Sequence, residues 1–308
     1  MEIFTKDGDS LKEITEIEFR LEKDLQTIVE KNLNQVLGID FVKSEFPLHK
    51  LRIDTLGFDR ESNSFVIIEY KRDKSSSVVD QGLAYLSLML NNKAEFILTY
   101  NENTTNESLR KDDVDWSQSK VIFIAQSFTP YQKQAIGFRD FPIELWEIKN
   151  YSNKTILFNK IQSPEKTESI NIISSKSDVV RSVSREIKTY TEEYHFEKHT
   201  SAKTKAIYQE IKRGVMSLGD NIEIIFRKHY IAFKTRYNFI YISPRRSVIH
   251  VTLAMNPNEL QDPKKSVRDM RKIGHQGAGR SRFTVTDKSQ IPYLQGLIAQ
   301  SYSKSIKP

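Results

Sequence analysis

The chain has 308 residues, of which 38% are hydrophobic and 28% are charged, a composition typical of a soluble protein with about two domains. It contains no cysteine, which excludes disulfides, thiolate zinc sites and cysteine nucleophiles, so any metal must use oxygen or histidine ligands. There is no apolar run of about eighteen residues and no basic-then-apolar N-terminal segment. The sequence therefore predicts a cytoplasmic protein with no membrane partner.

The formal net charge of +7 is distributed unevenly along the chain. Residues 196–308 contain 21 Lys and Arg against 8 Asp and Glu, a net charge of +13, whereas residues 1–195 contain 26 against 32, a net charge of −6. A polyanionic partner is therefore expected to bind mainly the second half. The alternative is a basic surface that only keeps the protein soluble.

Two elements are predicted before residue 40. Residues 2–17 place the turn sequence Lys-Asp-Gly-Asp between short β-like runs, which predicts a hairpin. Apolar residues then recur at helical spacing from Glu18 to Leu37, and Gly38 is a typical stop, which predicts an amphipathic helix. Glu22 lies near the start of this helix, where it either faces a site or is an exposed carboxylate favoured by the helix dipole.

The next segment, residues 51–71, predicts a β-hairpin with a polar tip that brings Asp54, Glu69 and Lys71 together. Alternation along the second strand places Glu69 and Lys71 on one face and their neighbours on the other. Carboxylate oxygens suit Mg²⁺, and an ammonium group beside the metal can orient an attacking water. The alternatives are an edge-strand ion pair between Glu69 and Lys71 and a turn-capping role for Asp54.

The rest of the first half alternates between strands and helices. A short helix is predicted at Asp80–Leu90, with Gln81 and Tyr85 on one face. A strand is also predicted before the hairpin, at 41–48. After the helix, strands are predicted at 94–100, 121–128, 143–151 and 155–161, with a second helix at 129–138. This order predicts an α/β domain with a mixed sheet.

The arrangement of these polar residues resembles the PD-(D/E)xK nuclease superfamily, specifically its RecB-like and NucS-like branches. The resemblance covers residues 18–130 and rests on a helix carboxylate, an aspartate, a Glu-x-Lys strand end and a following Gln helix, namely Glu22, Asp54, Glu69, Lys71, Gln81 and Tyr85. It departs from the motif at Ile53, which stands where the superfamily name has proline.

The resemblance implies a restriction-endonuclease-like mixed sheet flanked by helices, and it implies roles for the residues. Asp54 and Glu69 would be ligands of Mg²⁺ or Mn²⁺, with Glu22 as an additional ligand. Lys71 would be the catalytic lysine, and Gln81 would position the site or its metal-bound water.

Residues 161–200 are rich in Ser, Lys and Glu and predict a partly helical linker between a nuclease-like domain at 1–160 and a basic domain at 201–308. His195 and His199 form a close pair within this segment, but no acid–histidine set completes a zinc motif. An exposed helix start is the alternative interpretation of that pair.

The basic domain is predicted to be a smaller α+β domain with an antiparallel sheet. A helix at 202–218, β runs at 222–233, 238–244 and 248–255, and a final helix at 290–302 support this prediction. The aromatic residues of the strands either stack on bases or belong to the core, and the candidates are Tyr230, Phe233 and Tyr237.

A glycine-bearing loop at 274–279 is flanked by cations that can contact phosphates. The predicted nucleic-acid-binding residues are Lys264, Lys265, Arg268, Arg271, Lys272, Arg280 and Arg282. The loop is neither a Walker loop nor a dinucleotide fingerprint, and a tight connection with positive φ is the alternative. Residues 200–305 also resemble a domain labelled "predicted transport protein", which follows nuclease-like domains and implies no activity by itself.

Together these observations predict a Mg²⁺-dependent endonuclease that hydrolyses phosphodiester bonds of DNA, and less readily RNA. A homodimer is the simplest means of cutting both strands. The main alternative is a non-catalytic nucleic-acid-binding or regulatory protein on a nuclease scaffold. A third interpretation places a protein partner or a small anionic ligand on the second domain.

Overall fold

The computed structural model describes residues 2–49, 51–71, 77–105, 108–137, 141–162, 178–197, 200–273 and 277–306. The chain divides into two compact units, Met1–Lys188 and Thr189–Pro308. Among the described residues, no helix has both the length and the apolar character that crossing a membrane requires.

The first unit is a mixed α/β domain. Its strands are β1 (Phe4–Asp7), β2 (Ser10–Glu13), β3 (Glu16–Ile17), β4 (Asp40–Leu48), β5 (Leu51–Asp59), β6 (Ser64–Lys71), β7 (Lys120–Ala125), β8 (Ile143–Tyr151) and β9 (Ile156–Lys160). Its helices are α1 (Glu22–Lys31), α2 (Leu33–Leu37), α3 (Val78–Asn91), α4 (Lys93–Asn103), α5 (Pro130–Ala135) and α6 (Asp178–Glu186).

Within the described residues, seven strands of this unit form one mixed sheet in the order β3-β8-β7-β6-β5-β4, with β9 paired to β8. Strands β4, β5 and β6 are antiparallel to one another, whereas β6, β7 and β8 are parallel. The predicted mixed sheet is therefore confirmed. The strands β1 and β2 form the predicted hairpin, which turns at Gly8 with a φ of 60°.

The central strand β6 explains how both faces of the sheet are covered. Its sequence SFVIIEYK is almost continuously buried, as expected for a strand with helices on both sides. Phe65 and Ile67 belong to the core under α3 and α4, whereas Ile68 and Tyr70 belong to the core under α1. Glu69 alternates with the latter pair and therefore faces α3.

Two predicted elements of this unit differ in the structure. The single helix predicted from Glu18 to Leu37 begins at Glu22 and is divided at Asn32 into α1 and α2. Residue 19 lies outside it, where the Phe19 N–H donates to Gln126 Oε1 at 3.0 Å. The strand predicted at 94–100 is wrong, because this segment forms α4. Its Phe96 and Tyr100 lie four residues apart on the buried face, where the Phe96 ring packs 5.2 Å from that of Phe46.

The described parts of the predicted linker, 161–200, contain two helices. Helix α6 packs against α3 and contributes Val180 and Val183 to the first core. Helix α7 (Glu192–Phe196) lies in the second unit. Residues 163–177 and 198–199 lie outside the described residues.

The second unit contains α7, α8 (Ala202–Met216), α9 (Ile291–Ser305), β10 (Glu223–Phe226), β11 (Ile231–Lys234), β12 (Asn238–Pro244), β13 (Ile249–Leu253), β14 (Arg268–Asp269) and β15 (Ser281–Val285). Six described strands form an antiparallel sheet in the order β10-β11-β12-β13-β15-β14. The predicted antiparallel α+β architecture is confirmed. The single run predicted at 222–233 is a hairpin of two strands, and β14 and β15 were not predicted.

The core of this unit lies between the sheet and helices α8 and α9. Tyr230 and Phe233 are buried, with exposures of 3% and 0%, so of the two interpretations the structure supports the core role for these residues and not stacking on bases. Tyr237 is 44% exposed, and the guanidinium of Arg236 lies 5.3 Å from its ring centre.

Candidate functional site

The candidate site lies where β5 and β6 stop pairing as an antiparallel ladder. The ladder runs to Thr55 and Ile68, and the next residues along are Asp54 and Glu69. Beyond this point, a backbone N–H of each strand donates to a side-chain carboxylate of the other strand. The Asp54 N–H donates to Glu69 Oε1 at 3.1 Å, and the Tyr70 N–H donates to Asp54 Oδ2 at 3.0 Å. The two carboxylates thus replace the ladder hydrogen bonds.

Helix α3 completes the surroundings of Glu69. The Gln81 Nε2 donates to Glu69 Oε2 at 3.0 Å and to the Tyr85 hydroxyl at 3.2 Å. The Tyr85 hydroxyl in turn donates to the Arg52 carbonyl at 3.0 Å, which ties α3 to β5. The Lys71 Nζ lies 3.6 Å from Glu69 Oε2. The structure therefore brings together Asp54, Glu69, Lys71 and Gln81.

The site changes from buried to accessible over a short distance. Glu69 is 2% exposed, whereas the side chain of Lys71 is 18% exposed and Asp54 is half-buried. Glu69 therefore occupies the base of the site, and Asp54 and Lys71 are the groups that a ligand from solvent would meet first.

Burial and like charge make the two acids hard to ionise together. Burial, and to a smaller extent the charge of Asp54, raise the pKa of Glu69 to about 8, although the Asp54 N–H and Lys71 oppose the shift. Burial also raises the pKa of Asp54, against the Tyr70 N–H and Lys71. Burial and the Asp54 charge therefore favour the protonated form of the Glu69 carboxyl near neutral pH.

Glu22, the predicted additional metal ligand, is the exposed first residue of α1. Its charge raises the pKa of Asp54. However, no group of three or more His, Asp or Glu among the described residues is arranged to hold a metal ion. The predicted set of three carboxylate ligands is thus not assembled.

Asp54 and Glu69 alone still fit a hard divalent cation. Mg²⁺ is commonly bound by one or two protein carboxylates, and water and substrate oxygens complete its octahedron. A cation beside these two acids would also favour their charged forms, against the burial that raises both pKa values and the Asp54 charge that adds to the shift of Glu69.

Two groups near Asp54, Gln26 and Glu45, were not predicted from the sequence. Gln26 of α1 is 4% exposed, and its Nε2 donates to the Asp54 carbonyl at 3.0 Å. Its position four residues after Glu22, on the buried side of the helix, could have indicated this role. Glu45 has a φ of 52° and forms ion pairs with Lys23 at 3.1 Å and Arg52 at 2.7 Å, which no local pattern indicates.

The predicted nucleic-acid-binding residues are not equivalent in the structure. Lys265, Lys272 and Arg268 are exposed. Arg271 is engaged by Asp269, with distances of 3.0 Å and 3.1 Å from its Nε and 2.7 Å from its Nη2 to the carboxylate oxygens. Residues 274–276 of the glycine-bearing loop, and His199 of the predicted histidine pair, lie outside the described residues.

The remaining three cations of that set contact neighbouring side chains. Lys264 Nζ lies 4.5 Å from the centre of the Tyr293 ring, and Arg280 Nη1 donates to Asn256 Oδ1 at 3.1 Å. Arg282 is half-buried and lies directly opposite Arg268 in the β14–β15 pair. Burial lowers the pKa of Arg282, and nearby arginines lower it further.

One relative matches this chain along nearly its whole length. It is an "Uncharacterized protein" of Haemophilus influenzae (strain ATCC 51907 / DSM 11121 / KW20 / Rd), 40% identical over 301 residues, which are 98% of this chain and 99% of the relative. This chain belongs to the family of that protein. Residues 192–305 also match the family described as "Domain of unknown function (DUF5655)", and this match lies within the second unit.

Three solved structures resemble part of the chain. "Structure of EndoMS-dsDNA2 complex" has a TM-score of 0.29 and 16% identity, covering 42% of this chain and 47% of that chain. A repair endonuclease from Pyrococcus abyssi has a TM-score of 0.24 and 19% identity, covering 43% and 50%. SfsA of Pyrococcus furiosus in complex with Ca²⁺ has a TM-score of 0.26 and 16% identity, covering 54% and 78%. These similarities are low, and this chain spans about half the length of the first two structures.

Proposed function

We propose that this protein is a metal-dependent nuclease that hydrolyses phosphodiester bonds of DNA. The observation that carries the proposal is the geometry at the end of the β5–β6 ladder. There Glu69 accepts a hydrogen bond from the Asp54 N–H, Asp54 accepts one from the Tyr70 N–H, and Lys71 lies 3.6 Å from Glu69. Two acids and a lysine at one partly accessible point form a costly arrangement for folding alone, since burial raises the pKa of both acids.

Each residue has a physical role in this proposal. Asp54 and Glu69 would hold Mg²⁺ or Mn²⁺, which when bound stabilises charge on a phosphate and lowers the pKa of a bound water. Gln81 and the Asp54 N–H fix the orientation of the Glu69 carboxylate. Lys71 orients the attacking water or stabilises the negative charge that develops on the scissile phosphate. Glu22 remains outside this set.

The second unit supplies substrate affinity. Its sequence carries a large excess of Lys and Arg, and counterion release on binding phosphates favours association. Lys264, Lys265, Lys272, Arg268, Arg280 and Arg282 are the proposed phosphate contacts. Arg271 contributes less because Asp269 neutralises it.

An assay of divalent-cation-dependent cleavage tests the proposal. Linear, supercoiled and single-stranded DNA and an RNA of the same sequence are incubated with Mg²⁺ or Mn²⁺ and with Lys71→Ala or Asp54→Asn. Each variant should lose activity by on the order of 100-fold. Lys149→Ala is the matched control, because Lys149 lies in the same sheet and forms an ion pair with Glu16 at 2.6 Å. Cleavage by Lys71→Ala at the rate of the wild type would contradict the catalytic assignment.

A second candidate function is nucleic-acid binding without catalysis. It is favoured by the engagement of both Glu69 oxygens in hydrogen bonds with the protein and by the lack of a three-residue metal group among the described residues. Salt-dependent DNA binding by the wild type, with no cleavage in either cation, would select this function. Sedimentation of the same samples with and without DNA tests the proposed homodimer.

A further inference from the structure

The second unit contains a pocket of about 990 Å³ that the nuclease proposal does not use. It is bordered by α7 and the residues after it, by the β10–β11 turn and by the β12–β13 turn. Its lining residues include Tyr194, His195, Glu197, Lys228, Arg245 and Arg246. Pockets that bind small molecules commonly have volumes of about 300 to 1,000 Å³.

The pocket is lined by an excess of positive charge. Lys228, Arg245 and Arg246 contribute three cations from two turns, and Glu197 is the sole carboxylate among the lining residues. Within the part of the chain that the structure describes, none of these three cations forms an ion pair with a carboxylate. Arginines and lysines that converge on a concavity without such partners are suited to a phosphate group.

His195 places a buried hydrogen-bond acceptor at the pocket wall. Its ring hydrogen-bonds with the backbone of Arg227, while its Nε2 is buried and has no hydrogen-bond partner. Burial lowers the pKa of His195 to about 4, so the imidazole is neutral at physiological pH. Since the bond to the backbone takes the ring N–H, Nε2 presents a lone pair. Buried polar atoms usually have a partner, and a ligand donor would supply one here.

The position of His195 is fixed by the contacts of α7. Glu192, at the start of this helix, accepts hydrogen bonds from Gln209, Lys212 and the Tyr208 hydroxyl. At the other end, the Phe196 ring packs 4.8 Å from the Tyr208 ring. The acceptor is therefore held in place before any ligand arrives.

Tyr194 adds a flat aromatic surface beside this acceptor. Its side chain is 46% exposed, and its ring meets the His195 ring edge-on at 5.4 Å. The Tyr194 ring also packs 4.7 Å from the Tyr190 ring, and its remaining exposed surface beside the cations suits a heterocyclic base that is attached to a phosphate. Inorganic phosphate alone would fill a small part of the available volume.

We propose that this pocket binds a nucleoside 5′-phosphate. Lys228, Arg245 and Arg246 contact the phosphate, Tyr194 stacks on the base, and His195 Nε2 accepts a hydrogen bond from a hydroxyl or amino group of the ligand. The ligand is a free mononucleotide or the phosphorylated end of a nucleic-acid strand, since both carry the same groups. This assignment goes beyond the nuclease proposal and does not depend on it.

Calorimetric titration of the full chain with adenosine 5′-monophosphate tests the assignment. The double variant Arg245→Ala/Arg246→Ala should weaken binding by roughly ten-fold or more, since each removed cation takes away a charge-assisted hydrogen bond. Both residues are exposed in a turn, so the variant should fold. The matched control is Lys205→Ala/Arg213→Ala, which removes the same charge from the exposed side of α8. His195→Phe should weaken binding of the nucleotide more than binding of inorganic phosphate.

The absence of saturable binding by the wild type at millimolar nucleotide would overturn the proposal, as would an equal loss of affinity in the control pair. Competition by oligonucleotides distinguishes the two sources of the ligand. Displacement by a strand with a 5′-phosphate, but not by the same strand with a 5′-hydroxyl, assigns the pocket to strand ends. Nucleotide binding without displacement by either strand assigns it to free mononucleotides.

Discussion

The protonation of Glu69 should make the stability of the first unit depend strongly on pH. Its pKa is about 8 in the folded protein and 4.5 for an ordinary glutamate, because burial and Asp54 disfavour the charged form. Between these values the folded state holds a proton that the unfolded state has released. Stability is therefore fully present below about pH 4.5 and is lost as the pH rises towards 8.

The magnitude follows from the width of this interval. Each pH unit is worth about 1.36 kcal/mol, so the free energy of unfolding should fall by about 4 kcal/mol between pH 5 and pH 8 without divalent cations. Glu69→Gln keeps the shape of the side chain but cannot ionise, and it should abolish most of this dependence. The substitution itself also lowers stability, because the new amide must rearrange opposite Gln81. This loss is the same at every pH.

Urea unfolding followed by tryptophan fluorescence measures this difference cleanly. Both tryptophans of the chain, Trp116 and Trp146, lie in the first unit, so the signal reports that unit. Magnesium at pH 8 should restore stability to the wild type and not to the variant, because a ligand that binds the folded state stabilises it. Parallel pH profiles for the wild type and Glu69→Gln would refute the assignment of the buried proton to Glu69.

Three further predictions follow from other contacts. The affinity for magnesium should increase by up to about ten-fold for each unit that the pH rises towards 8, because the metal must displace the Glu69 proton. Titration calorimetry at pH 6, 7 and 8 measures this dependence. An affinity that does not change with pH would speak against Glu69 as a ligand. Gly57→Ala should lower the free energy of unfolding in urea by about 1 to 3 kcal/mol, because a Cβ there would lie 2.5 Å from Ile39 Cγ2 and 3.2 Å from the Asp40 carbonyl. An unchanged urea midpoint would show that the start of β4 moves to make room for the methyl group. Arg268→Ala/Arg282→Ala should lower the slope of log DNA affinity against log salt by the equivalent of about two phosphate contacts, while Arg271→Ala should change this slope less. Fluorescence anisotropy from low to moderate salt measures the slopes. Equal slopes for all variants would exclude the β14–β15 face as a DNA-binding surface.

Local patterns were sufficient to predict the central features of the candidate site. Alternation along β6 placed Glu69 and Lys71 opposite Ile68 and Tyr70, because side chains of a strand point to alternate faces. The spacing of Gln81 and the following tyrosine placed both on one side of a helix, and the structure directs that side at Glu69.

Features that depend on distant partners could not be predicted in this way. Segment 94–100 has a strand-like composition, yet it packs as a helix because Phe96 and Tyr100 find an aromatic core that only the folded sheet provides. The hydrogen bond from Tyr70 to Asp54 depends on the point at which two strands separate, which composition does not specify. The pocket around His195 likewise forms from turns that are distant in sequence.

The exchange of hydrogen bonds at the end of the β5–β6 pair has an evolutionary consequence. Asp54 and Glu69 each satisfy a backbone N–H that would otherwise lose its partner, so truncating either one loosens the strand ends as well as changing the chemistry. Selection for an intact strand pair therefore acts on both acids, independently of the proposed hydrolysis. Lys71 holds no backbone group in place among the described contacts, so wherever the proposed hydrolysis is lost in this family, Lys71 should vary more readily than either acid.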